Sequence, residues 1–248
     1  MTLRFAVVHE ADADFTTAVQ LADRVLLEAF PDWIDEESLC HYREWISEAS
    51  DGWRLTWKTI KKLADEAGIR SYGHFDGEAG EADAKAARRA ILFLLDNIPE
   101  LNGILLIRDQ DDQPERLDGL DQARKQYRSK IPIVVGLAVV EREAWVISGF
   151  DPQDDDEARR LESERRKLGF DPRLRSHELT AGKNDQAPRS PKRVLSCFSG
   201  DDYGREQHCW AKTSLEVLRE RGSDNGLVAY LDEIRDQLAQ LIGYVENE

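Results

Sequence analysis

The chain lacks several features, and each absence excludes a class of protein. No apolar run in its 248 residues approaches the roughly 18 to 20 residues of a membrane span, so no membrane role is expected. Its three cysteines, Cys40, Cys197 and Cys209, are an odd number at wide spacing, which argues against a disulfide framework and for reduced thiols. They form no Cys-x-x-Cys pair. His41 beside Cys40 and His208 beside Cys209 complete no tetrahedral ligand set, so structural zinc is not expected. Positive charge is in deficit, with 34 Lys and Arg against 49 Asp and Glu and a formal net charge of −15. Such a field repels nucleic acid at long range and counts against a high-affinity, non-specific DNA binder, although an acidic metal site can coexist with a local basic surface. The first residues run straight into a strand, with neither the length nor the cleavage pattern of a signal peptide. The expected location is the cytoplasm. The glycine-rich segment 73–81 lacks the Gly-Lys-Ser/Thr ending of a phosphate-binding loop, so no nucleotide site is expected there.

What is present is a set of apolar blocks. Hydrophobic residues make up 41% of the chain, enough for a real core. Ile104 to Ile107 follow an Asn-Gly turn signal and read as a strand buried on both faces, as inside a parallel sheet. That strand runs into Arg108-Asp109-Gln110-Asp111-Asp112. Asp109 and Asp111 sit two apart, so in an extended chain both carboxylates leave one face at the carboxyl end of the strand, where open α/β sheets place their sites. Crowded carboxylates repel one another, and a hard divalent cation relieves the repulsion. A solvated acidic turn is the ordinary alternative.

Two more apolar strands end in acid. Leu3 to Val8 leads to His9-Glu10, and Ile131 to Val140 leads to Glu141-Arg142-Glu143-Ala144-Trp145. Helices are predicted over 15–27, 82–97 and 117–128, and strands alternating with helices argue for a mainly parallel sheet flanked by helices. With 49 acidic residues in the chain, coincidence also accounts for some of these junctions. Residues 30–72 hold Trp33, Trp45, Trp53 and Trp57, four of the six tryptophans, at spacings that suit one or two amphipathic helices. They read either as an insertion packed on the sheet or as a partner-binding face, since Trp is enriched at hot spots.

The domain expectation is an α/β domain over 1–150 and a charged loop with a helical extension over 151–248. Within the extension, Arg189 to Arg193 is the most basic short patch, and Lys192 and Arg193 are its candidate phosphate contacts. Residues 176–193 read as a loop, and the chain closes with predicted helices over 211–219 and 227–245.

The three acidic strand ends together resemble the Toprim (topoisomerase-primase) superfamily, and more narrowly the small stand-alone Toprim-like bacterial proteins often associated with phage defence. His9-Glu10-Ala11 stands where that family has its Glu-Gly turn, Asp109-Gln110-Asp111 supplies the Asp-x-Asp, and Glu143-Ala144-Trp145 looks like the Glu-Ala-Trp of the small proteins. His177-Glu178, Pro191-Lys192 and Tyr203 echo their downstream pattern. Ala11 replaces the family glycine, and the Trp-rich insertion lengthens the stretch between the first two motifs.

The resemblance implies a Mg²⁺- or Mn²⁺-dependent nuclease or related phosphoryl-transfer enzyme acting on nucleic acid. Asp109 and Asp111 would hold the metal, Glu10 would be a ligand or general base, and Glu143 a further acidic contributor. The rival expectation is a non-catalytic Toprim-like subunit that binds another protein through the Trp-rich insertion. Nothing in the sequence fixes the oligomeric state.

Overall fold

The computed structural model describes residues 2–31, 34–50, 52–182 and 184–243. Trp33 and the end of the predicted last helix, residues 244 and 245, lie outside them. The elements in chain order are β1 (Leu3–Val8), α1 (Asp12–Leu27), α2 (Glu36–Leu39), β2 (Arg43–Ile46), α3 (Trp57–Glu66), β3 (His74–Phe75), β4 (Glu78–Ala79), α4 (Ala84–Asn97), β5 (Gly103–Asp109), α5 (Arg116–Lys125) and β6 (Ile133–Ala138). After these come α6 (Arg142–Ser148), α7 (Asp155–Leu168), α8 (Pro191–Ser199), α9 (Tyr203–Ala211), α10 (Leu215–Arg221), α11 (Leu227–Glu233), a π-helical stretch Ile234–Ala239 and α12 (Gln240–Gly243).

Four strands form one sheet in the order β2-β1-β5-β6. β1 runs parallel to both neighbours, with Leu3 to Ala6 level with Arg43 to Ile46 on one side and Phe5 to Val8 level with Gly103 to Leu106 on the other. The expected α/β architecture, a mainly parallel sheet with helices against it, is what the chain adopts. β1 and β5 are its centre: Phe5, Ala6, Val7, Val8, Ile104, Leu105 and Leu106 are all fully buried, as unbroken apolar runs require.

The chain groups into two compact units. The first takes the residues up to Arg108, Gln113–Gly136 and the chain from Tyr230 on; the second takes Asp109–Asp112 and Leu137–Ala229. In the first unit α1 buries Ala18, Leu21, Ala22, Val25 and Leu26, and the buried Tyr230 hydroxyl donates to the Ala18 carbonyl at 2.9 Å. Gly119 lets α5 press against the loop before α4, where a Cβ would collide with the Ala82 carbonyl.

In the second unit the buried Asn225 is a connector. Its carbonyl accepts from Val139 N–H at 2.9 Å and from the Trp145 indole at 2.8 Å, while its amide reaches Ala144 O at 3.0 Å and Ser148 and Ser176 hydroxyls at 2.8 Å each. α7, α8 and α9 begin on Asp154, Ser190 and Asp202, whose side chains accept first-turn N–H groups.

The sequence reading of residues 30–72 as helical needs correction. α3 is a helix, but Arg43–Ile46 is the edge strand β2. Arg43 and Trp45 alternate toward α1, where both bind Asp23: Arg43 Nε at 2.7 Å and the Trp45 indole at 2.8 Å. The Trp45 ring rests 5.2 Å from that of Phe5. The third apolar strand is Ile133–Ala138, narrower than 131–140, and the helix expected over 211–219 divides into the end of α9 and α10.

Candidate functional site

The strand order reverses between β1 and β5, and in open α/β sheets the ends of such a strand pair are where sites form. In the first unit that place holds Glu10 and Arg108. Arg108 Nη1 lies 3.2 Å from Glu10 Oε1, and Arg108 Nε lies 3.0 Å from Asp83 Oδ2. Asp83 also faces Arg116 Nε at 3.0 Å. The indole of Trp57 donates to Ile107 O at 2.7 Å, with the Arg108 guanidinium 5.2 Å from its ring centre. Glu10 therefore has a protein cation as counterion, and that cation is fixed by a second carboxylate and an aromatic ring.

His9 is buried beside it. Nδ1 lies 3.0 Å from the Ala11 carbonyl, which can only accept, so Nδ1 carries the hydrogen and Nε2 is the bare nitrogen. Among the described residues Nε2 has no hydrogen-bond partner. Burial pushes the imidazole pKa below its ordinary 6.5, outweighing the Ala11 hydrogen bond.

The second unit holds the other acidic residues. β5 ends on Asp109, and Asp109 Oδ1 accepts the backbone N–H of Arg142, the first residue of α6, at 2.8 Å. Asp111 donates its N–H to Val140 O at 2.8 Å and adopts a left-handed φ of 52°. Glu141 is buried and lies 3.3 Å from Lys192 Nζ. Burial raises the Glu141 pKa; Lys192 opposes the shift, and the charges of Glu143 and Asp111 reinforce it. Asp111 and Glu143 are thus each near enough to Glu141 to repel its charge. Glu143 faces the Arg142 guanidinium at 3.3 Å, and Glu206 faces it at 3.4 Å. A cavity of about 280 Å³ opens here, lined by Glu143, Asp185, Lys192, Asp201 and Glu206 among others.

The two basic candidates behave differently. Lys192 stands within the acidic group, between Glu141 and Asp185, which is 3.7 Å away. Arg193 is bound to the fully buried Glu164 at 2.6 Å and to the carbonyls of Ala187 and Pro188, so it holds α7, α8 and the preceding loop together. The residues that sequence reasoning did not single out are the counterions Asp83 and Arg142, and Glu206. Arg142 stands between two glutamates, which is a visible signal; nothing local marks Asp83.

Among the described residues no group of three or more His, Cys, Asp or Glu side chains is arranged to hold a metal ion. The available donors are carboxylate oxygens, which suit hard cations. Mg²⁺ commonly takes only one or two carboxylates and completes its shell with water and substrate phosphate, so Asp109 and Asp111 fit that mode by type and number. Of the three described tryptophans in residues 30–72, Trp45 and Trp57 donate to their own chain, and Trp53 is exposed. Compared with protein-family models, curated proteins and solved structures, the chain matches none.

Proposed function

We propose that the protein is a Mg²⁺- or Mn²⁺-dependent phosphoryl-transfer enzyme, a nuclease of the Toprim type. The observation that supports this most is the acidic group of the second unit, where Asp109 ends β5 against the start of α6 and Asp111, in the turn that follows, acts on Glu141 together with Glu143. Asp109 and Asp111 would hold the ion. When bound, it polarises the scissile phosphate as a Lewis acid.

The chain's own groups do the positioning. The Arg142 N–H fixes one oxygen of Asp109, and a preset carboxylate loses less orientation freedom on binding. The Arg142 guanidinium and Lys192 offset the charge of Glu143, Glu206 and Glu141, which lowers the repulsion that a phosphate entering an acidic site would meet. Lys192 Nζ can donate to a phosphate oxygen by exchanging its carboxylate partner. Glu10 enters through the resemblance, as ligand or as the base that takes a proton from attacking water.

Calorimetric titration with Mn²⁺ and Mg²⁺ tests the reading, run beside an Asp109→Ala/Asp111→Ala variant and followed by cleavage assays on DNA and RNA. Metal-dependent cleavage by the parent that disappears in the variant is expected; cleavage that survives in the variant would overturn the assignment. A second reading has one observation in its favour: Glu10, Glu143 and Glu141 already have cationic partners in Arg108, Arg142 and Lys192. On that reading the protein is a non-catalytic Toprim-like subunit, and it predicts neither metal binding nor cleavage, together with co-purification of a protein partner.

A further inference from the structure

We propose that the outward face of α3, with Trp53 just before it, is a docking surface for single-stranded nucleic acid. The choice of partner rests on the phosphoryl-transfer reading, and the surface would supply a place for the substrate strand in a protein whose overall charge repels it.

α3 turns Ile60, Leu63 and Ala64 inward. That leaves Lys58, Lys61 and Lys62 one turn apart on the other side, all exposed. Lys58 and Lys61 have no carboxylate partner among the described residues, and Lys62 reaches Glu66 only at 3.7 Å. A chain with 49 acidic residues has ample material to pair its lysines, yet here three cations share one helical face. Like charges at such spacings weaken the helix that carries them. A bound polyanion removes the repulsion.

The neighbouring Trp53 is 45% exposed, and Lys62 Nζ lies 4.2 Å from its ring centre. An exposed ring beside a basic helical face is the combination that single strands use, with bases stacking on the aromatic face and phosphates meeting the lysines. Duplex DNA hides its base faces from such a ring. A membrane surface suits the patch less well, because the outward positions 58, 61, 62, 65 and 66 are all charged and offer no apolar stripe to insert. Lys58, Lys61 and Lys62 line a shallow, open depression of about 440 Å³ together with Asp65 and Glu66.

Fluorescence anisotropy with a labelled oligothymidine in EDTA tests this, because chelation removes metal-dependent cleavage from the readout. The parent should bind with salt-dependent affinity. Lys58→Gln/Lys61→Gln should weaken binding about tenfold and flatten the slope of log affinity against log salt by about 1.4, two lost contacts at roughly 0.7 each. Trp53→Ala should also weaken binding about tenfold, as expected for one lost base stack. All three positions are exposed, and unchanged circular-dichroism melting would show that the variants fold. No binding by the parent, variants with the parent's affinity and slope, or capture of phosphatidylserine vesicles in place of the strand would overturn the proposal. Strand binding through the patch without metal-dependent cleavage would overturn the enzymatic reading alone.

Discussion

Asp83 holds two arginines at once: Oδ2 is 3.0 Å from Arg108 Nε and 3.0 Å from Arg116 Nε, and Arg108 in turn reaches Glu10. Asp83 precedes α4 with a left-handed φ of 63°, a conformation that Asp and Asn tolerate better than most residues. One short side chain therefore ties the start of α4 to the end of β5 and to α5.

Asp83→Asn should keep the backbone and lose the charge. Arg108 and Arg116 are only 15% and 8% exposed in their side chains, so removing a shared partner leaves poorly solvated cations. The expected loss is about 3 kcal/mol, the lower range for breaking a buried pair. Urea denaturation measures it. A change below about 0.5 kcal/mol would place the network with ordinary surface pairs.

Gly119→Ala sets two effects against each other. Alanine in a helix interior gains about 1 kcal/mol over glycine. The new Cβ would strike the Ala82 carbonyl, and backbone cannot rotate away as a side chain can; overpacking of this kind costs roughly 1 to 3 kcal/mol. A net destabilisation of about 1 to 2 kcal/mol is expected. A higher melting temperature in the variant would mean that the loop before α4 yields.

What the sequence made legible follows from how local each signal is. β1, β5 and β6 are continuous apolar runs and could be read without their neighbours. β2 could not, because only Ile46 of its four residues is buried, and its reason for being a strand is Asp23, twenty positions away on α1. The acids of the candidate site were visible as strand-end residues. Their pairing was not: Lys192 was legible as a basic residue but not as the partner of Glu141, 51 positions away, and nothing local joined Asp83 to Arg108, the partner of Glu10. The spacing around Leu39, Tyr42 and Trp45 fitted a helix because a four-residue strand is too short to establish a period of two.

His9 makes stability depend on pH. The unfolded chain protonates near 6.5 and the folded chain only at lower pH, so between those points the unfolded state binds more protons. The contribution of His9 is complete above about 6.5 and declines as pH falls. Protonation would put a second N–H on the buried Nε2, which has no acceptor among the described residues. Urea midpoints at pH 7, 6 and 5 should fall in the parent and fall less in His9→Leu. Parallel decline in both would assign the effect to other groups.

Asn225→Leu should be among the most damaging substitutions in the second unit. The side-chain amide serves Ala144 O and two serine hydroxyls, and Asn225 is 1% exposed. Its own carbonyl bonds to Val139 and Trp145 are backbone and survive. The lost groups leave buried polar atoms unsatisfied, at roughly 1 to 3 kcal/mol apiece, so a loss of about 3 kcal/mol is expected after some relaxation. Near-parent stability would mean that water takes the place of the amide.

Lys192 puts a positive charge among the carboxylates around the proposed metal ligands. Lys192 Nζ is 3.3 Å from Glu141, and its side chain is 46% exposed, so the pair is solvent-screened and its strength is that of a surface ion pair, about 0.5 to 1 kcal/mol. If Asp109 and Asp111 hold Mn²⁺, Lys192→Met removes a positive charge from their surroundings and should tighten Mn²⁺ by about two- to fivefold. The variant should also bind a nucleic-acid strand less well if the same lysine is the phosphate donor that we propose. Calorimetry for the metal and anisotropy for the strand read the two effects separately. Metal affinity that falls in Lys192→Met would show that the lysine organises the acidic group instead of repelling the cation.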